Sequence, residues 1–145
     1  MDFSFNADQI SLGETVGKVL GDHPGLLAPE PLPAGQDAAW DALAELGLFA
    51  LLVPEQFGGA GLSLVDLAPA VEALGAGLAP PAAVAALVAT DLLVRNGSHG
   101  QQAAWLPRIA SGEAKCALAL LEAGQGYDPE DGGCSIANGA LNGDK

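Results

Sequence analysis

Basic residues are the scarcest chemistry in this chain: five Lys and Arg stand against eighteen Asp and Glu, a net charge of −13 over 145 residues. Nucleic acid and anionic membrane are held by cations, so this balance argues against both as partners. A phosphate-rich ligand would have to draw its Arg and Lys from elsewhere. Cysteine is nearly absent too: two residues, Cys116 and Cys134, make no disulfide framework and read as buried thiols. Aromatics are 5% of the chain and β-branched residues are sparse, which disfavours a sheet-dominated fold. A long apolar run is missing as well. The longest such stretch, Gly75 to Ala89, contains Pro80-Pro81 and is followed by Asp91 and Arg95, so it reads as a buried helix and not a membrane span. Metal-ligand spacing is lacking: His23 and His99 stand alone in loop or cap positions and read as surface residues. Asp128-Pro129-Glu130-Asp131-Gly132 is acidic but lacks the alternating ligands and closing glutamate of a calcium loop; it is a turn. The opening Met1-Asp2-Phe3 is acidic and polar, unlike a signal peptide, and a cytoplasmic location is expected.

What the chain does have is alanine and leucine, with half its residues apolar, enough for a helical core. Asn6 with Gln9 forms a capping pair for a first helix reaching about Leu20, amphipathic through Ile10, Val16 and Leu20. His23-Pro24-Gly25 ends it, and the Pro/Gly-rich stretch to Gly35 is a loop. A second helix over Asp37 to Leu46 carries Trp40, Leu43 and Leu46 on one side and stops at Gly47. The apolar run Leu48 to Val53 looks strand-like. A third helix spans Leu64 to Leu74. A fourth, Pro81 to Arg95, is apolar on nearly every face and belongs inside the bundle. The fifth opens with Ser98 and Gln101 and runs to about Ala110. Beyond Glu113 the pattern changes. Cys116 to Leu121 is consistent with a strand, though too short to exclude a helical piece, and Cys134 to Ala137 with Ala140-Leu141 read as short strands around Asn138-Gly139.

The segment Val53-Pro54-Glu55-Gln56-Phe57-Gly58-Gly59-Ala60-Gly61-Leu62-Ser63 is the densest signal, with three glycines in four residues and Ser63, with Asp66 three residues on, placed to cap the next helix. A glycine-rich turn before a helix invites a dinucleotide reading. Leu64 stands where that fingerprint wants a third glycine or alanine, and no acidic ribose ligand follows at the right distance. The turn instead resembles the Pro-Glu-x-Tyr/Phe-Gly-Gly-x-Gly-x-Ser/Thr element of the acyl-CoA dehydrogenases. Upstream, Trp40-Asp41-Ala42-Leu43-Ala44-Glu45-Leu46-Gly47-Leu48 is similar to the family's preceding helix. Downstream, Gly97-Ser98-His99-Gly100-Gln101, Leu106-Pro107 and Ser111-Gly112-Glu113 resemble its next motifs, in order and at the right spacing. Leu141-Asn142-Gly143-Asp144-Lys145 resembles a Leu-Asn-Gly-x-Lys early in the family's β-domain.

The resemblance implies a mainly α fold: a helical amino-terminal domain over 1–112, then the start of a middle β-domain over 113–145. It also implies that the chain is an amino-terminal fragment, a truncated product or one piece of a split protein. The family's chemistry is α,β-dehydrogenation of an acyl-CoA thioester with hydride transfer to FAD. Its base comes from a C-terminal helical domain, so no catalytic residue is assigned here; Glu55, Glu72 and Glu122 read as solvated or capping carboxylates. The family's flavin-contacting strand corresponds to Leu118-Ala119-Leu120-Leu121-Glu122-Ala123-Gly124-Gln125-Gly126-Tyr127-Asp128. Leu118, Leu120, Leu121, Gly126 and Tyr127 are thereby the expected FAD contacts. Leu121 replaces the family's hydroxyl, Ala123 its proline and Tyr127 its serine, which leaves backbone N–H groups of Leu120 and Leu121 as donors. The fourth helix resembles the one flanking the acyl chain, so Val84, Leu87 and Val88 would face the substrate; ordinary core packing suits them equally. Partners implied are acyl-CoA and further dehydrogenase subunits, like or unlike. Two other readings stay open: a flavin-poor partner subunit, and a free-standing acidic helical interaction module.

Overall fold

Asn6 stands in extended conformation before α1 (Ala7–Asp22). Its side chain accepts from the Gln9 N–H at 2.9 Å, and Gln9 Oε1 accepts from the Asn6 N–H at 2.9 Å. This reciprocal pair satisfies two of the amide donors that a helix start leaves open. The helix closes at His23, whose N–H reaches the Val19 and Leu20 carbonyls. The computed structural model describes residues 4–23, 35–120 and 133–143. The loop read at 24–34 and the turn at 128–132 lie outside these residues. α1 buries Gly13, Val16 and Leu20, whereas Ile10, expected on the same face, is 47% exposed. At ~100° per residue Ile10 sits roughly 90° from the centre of that stripe.

α2 (Gly35–Glu45) turns Ala39, Trp40 and Leu43 inward, and Gly47, in the left-handed region at φ 84°, ends it. The apolar run that follows is not strand-like. Leu48–Ala50 is a 3-10 turn, continued by i→i+3 bonds from Leu51 N–H to Leu48 O and from Val53 N–H to Ala50 O. Leu48, Phe49, Leu52 and Val53 are buried, a helical spacing that alternation along a strand cannot produce. Phe49 stacks on Trp40 with ring centroids 4.2 Å apart.

α3 begins at Ala68 and ends at Ala76, four residues later than Ser63 leads one to expect. Pro69 is the reason. In a helix starting at Leu64 it would fall in the interior, where it lacks a donor for Val65 O and clashes with that carbonyl; in the observed helix it occupies the first turn. Val65 O is taken instead by Ala68 N–H at 3.3 Å and Gln9 Nε2 at 3.3 Å. Ser63 still pairs with Asp66, in the opposite sense: its N–H (2.9 Å) and Oγ–H (2.7 Å) both donate to Asp66 Oδ2. Gln9 Nε2 adds a third donor at 3.3 Å on Oδ1.

These donors hold the Asp66 carboxyl below its ordinary value, the Ser63 hydroxyl contributing most and the Ser63 amide next. A depressed folded-state pKa means the contact stabilises fully above the unfolded value of about 3.9 and is lost as pH falls through the folded one. The Ser63 amide proton should therefore titrate with a midpoint below an ordinary aspartate's when followed by NMR. A midpoint at or above that of an unstructured aspartate would contradict the geometry.

α4 (Pro81–Asn96) buries Ala83, Ala86, Leu87 and Thr90. Thr90 Oγ–H bonds back to Ala86 O at 2.8 Å, so its hydroxyl is satisfied inside the core. The helix is not interior on every face as expected: Val84, Val88 and Leu92 form an exposed stripe at i, i+4, i+8. α5 (His99–Ala110) carries the Ser98/Gln101 capping box, with bonds of 2.8 and 3.3 Å. Gln102 Nε2 donates at 3.1 Å to each of the Leu93, Val94 and Gly97 carbonyls, tying the end of α4 to α5.

The core lies where α1, α2, α3 and α4 meet around Phe49, with Leu20, Leu43, Leu67, Leu74 and Leu87 among its members. The fold is mainly α, a helical bundle followed by a hairpin. Strand β1 (Ser135–Ala137) pairs antiparallel with β2 (Ala140–Asn142), Ile136 opposite Leu141. Asn138 (φ 52°) and Gly139 (φ 77°) supply the two positive-φ residues that a tight turn between twisted strands requires. Among the described residues no helix is long and apolar enough to cross a membrane.

Candidate functional site

The glycine-rich turn folds back on the 3-10 segment. Ala60 N–H bonds Ala50 O at 3.0 Å, Gly61 N–H bonds Val53 O at 2.8 Å, and Leu62 N–H bonds Leu51 O at 2.8 Å. Gly59 lies so close beneath this ladder that a Cβ there would overlap Val53 O and stand 2.5 Å from Ala50 O. The glycines serve close backbone packing, and the amides that a phosphate loop would aim outward are spent on internal carbonyls. Phe57 lies at 5.8 Å, tilted, from the exposed His99 ring, joining the turn to the start of α5.

Leu62, Ser63 and Leu64, past the turn, border a cleft of about 260 Å³ with Leu52, Val94 and the ion pair Asp91–Arg95 (2.7 Å). The expected acyl-chain residues do not line it. Val84 and Val88 lie exposed on the open stripe of α4, at 41% and 39%, while Leu87 points into the core at 2%. The structure divides that trio.

Of the expected flavin contacts, Leu118 is half-buried and Leu120 is 56% exposed, on a segment that leaves α5 without joining a sheet. Leu121, Gly126 and Tyr127 lie outside the described residues, as does Glu122. The strand expected over Cys116 to Leu121 is not formed across 116–120: an extended run becomes a strand only when a neighbour completes its ladder, and β1 and β2 pair with each other. No hydrogen bond within the described residues engages the N–H groups of Leu118 and Leu120. Glu55 and Glu72 are exposed. Burial pushes the pKa of the half-buried Cys116 thiol up, with the Arg108 charge opposing.

The exit from α5 is built more tightly than its sequence suggests. Gly112 adopts φ 76°, and a Cβ on it would stand 2.5 Å from Ala44 Cβ. Its carbonyl accepts from Trp40 Nε1–H at 3.0 Å. Arg108 pairs with Glu113 at 2.7 Å, Ala114 N–H returns to Arg108 O at 3.0 Å, and the Lys115 ammonium lies 5.2 Å from the centre of the Trp40 ring. Sequence reasoning noticed Trp40 and Ser111-Gly112-Glu113 as separate motifs and missed that they meet. The available signal was chemical: a buried indole N–H needs an acceptor.

Residues 28–113 match the family model described as acyl-CoA dehydrogenase, N-terminal domain, and the chain belongs to the acyl-CoA dehydrogenase family. Similar proteins include (2S)-methylsuccinyl-CoA dehydrogenase of Cereibacter sphaeroides, 38% identical over 61% of this chain and 16% of that protein. Mitochondrial isovaleryl-CoA dehydrogenase of Bos taurus is 31% identical over 85% of this chain and 30% of that protein. Among solved structures, the ChsE4-ChsE5 complex from Mycobacterium tuberculosis superposes with a TM-score of 0.60 at 20% identity, over 78% of this chain and 30% of that one, a likeness of fold. The chain thus spans less than a third of the length of each of these proteins.

Proposed function

We propose that this chain is the amino-terminal portion of a flavin-dependent acyl-CoA dehydrogenase, acting in the α,β-dehydrogenation of an acyl-CoA thioester. The match of the family model over residues 28–113 carries this reading, and the ordered motifs from Trp40 to Glu113 support it. FAD, when bound, supplies the hydride acceptor. In this reading residues 1–112 form the helical domain and 113–145 open the β-domain. Leu118, Leu120, Leu121, Gly126 and Tyr127 meet the flavin, the backbone N–H groups of Leu120 and Leu121 serving as donors. Val84 and Val88 present an apolar surface to the acyl chain, and Leu87 backs them from the core. No residue of this chain is proposed as the base. The working form is an assembly of like or unlike dehydrogenase subunits, in the cytoplasm.

A second reading, a flavin-poor partner subunit beside an active one, is favoured by Leu121 and Tyr127, which stand where the family has a hydroxyl and a small serine. One titration tests the segment's part in flavin binding. Leu121→Thr with Tyr127→Ser restores a donor and removes a bulky phenol, and a regained buried hydrogen bond is worth ~0.5–1.5 kcal/mol, roughly two- to twelvefold in affinity. FAD fluorescence quenching should therefore report tighter binding in the double variant than in the unchanged protein. Equal or weaker binding would mean that the segment meets flavin through its backbone alone or is not part of the flavin site.

A further inference from the structure

We infer that Trp40 is a positioning residue, which sets the direction in which the chain leaves α5 and so aims the Lys115–Leu120 segment. The inference rests on the flavin reading only for what that segment does, not for how it is held. Trp40 is 2% exposed, stacked on Phe49 at 4.2 Å and packed within the core. Its indole N–H is therefore a fixed donor, and at 3.0 Å it holds the Gly112 carbonyl across 72 residues of sequence. A second contact lies three residues on, where the Lys115 ammonium sits 5.2 Å from the centre of the same ring.

The two contacts lie on either side of Glu113-Ala114, and that pair is fastened as well. Ala114 is buried at 7% and bonded to Arg108 O, and Glu113 is paired with Arg108. Gly112 permits the approach, because its positive φ turns the carbonyl toward the indole and the missing Cβ clears Ala44. Over residues 116–120 no backbone hydrogen bond to the described residues holds the chain. The orientation of Leu118 and Leu120 is inherited from the junction at Trp40. An aromatic ring without the N–H would keep a stacking partner for Phe49 and release the exit.

Trp40→Phe tests this in the 145-residue protein. Loss of one buried donor should speed amide exchange at Ala114 about three- to tenfold and shift the resonances of 113–120, while exchange at Val16 and Leu87 is unchanged. In the unchanged protein the Trp40 indole proton should exchange at least about tenfold more slowly than that of Trp105, which is 44% exposed. This second measurement needs no variant and stands even if Trp40→Phe folds poorly. Equal indole exchange rates, or unaltered Ala114 exchange in a folded variant, would overturn the inference. FAD titration of both proteins separates it from the flavin reading. Weaker binding in the variant supports both, whereas exchange changes with equal FAD binding support the junction and separate it from the flavin site.

Discussion

Gly59→Ala should cost about 3 kcal/mol of folding stability, a large effect for a single methyl group. The new Cβ would overlap the Val53 carbonyl oxygen and stand 2.5 Å from that of Ala50. Neither oxygen can give way cheaply, since Ala50 O accepts from Ala60 N–H and Val53 O from Gly61 N–H. Overpacking and at least one strained hydrogen bond therefore act together, at ~1–3 and ~1 kcal/mol. Gly58→Ala is the internal comparison. Gly58 has φ 88° but open space around its Cβ position, so it should lose only the ~1–2 kcal/mol of a left-handed conformation. Urea denaturation followed by circular dichroism reads both. A loss under about 1 kcal/mol at Gly59, or a larger loss at Gly58, would show that the turn is not packed as described.

That turn also shows how far the sequence carried. Its glycines were legible as a place of close backbone approach, but the partner was not, because the approach is to the preceding segment's own carbonyls. The capping boxes at Asn6/Gln9 and Ser98/Gln101 were readable because donor and acceptor lie three residues apart and need no tertiary structure. The same logic misplaced the start of α3. Ser63 and Asp66 do bond, yet Pro69, six residues after Ser63, decides where a helix can begin. Leu48 to Val53 was apolar enough for a strand, and only the burial of 48, 49, 52 and 53 separates a 3-10 turn from it. The Trp40–Gly112 contact spans 72 residues and leaves no local trace. Domain-level recognition survived these errors because it rests on the order of motifs, while site residues rest on which face of a helix is covered.

Leu87→Ala should destabilise the protein by about 3 kcal/mol, while Val84→Ala and Val88→Ala should each cost less than about 1 kcal/mol. The family resemblance implied that all three face the ligand, with core packing an equal alternative. In the structure Leu87 is 2% exposed within the core cluster, so truncation leaves a cavity that Ala83, Ala86 and Thr90 on the same rigid helix cannot close. Val84 and Val88 already have about two-fifths of their surface in water, and losing their methyl groups forfeits little burial. The measurement is the urea midpoint of each variant at unchanged slope. Similar losses at all three positions would mean that the stripe is covered and structural, and the proposed acyl-facing surface would fall with it. A sharp division carries the opposite meaning. An apolar stripe that adds almost nothing to folding keeps its contact energy available for binding, as the proposed acyl-facing role requires.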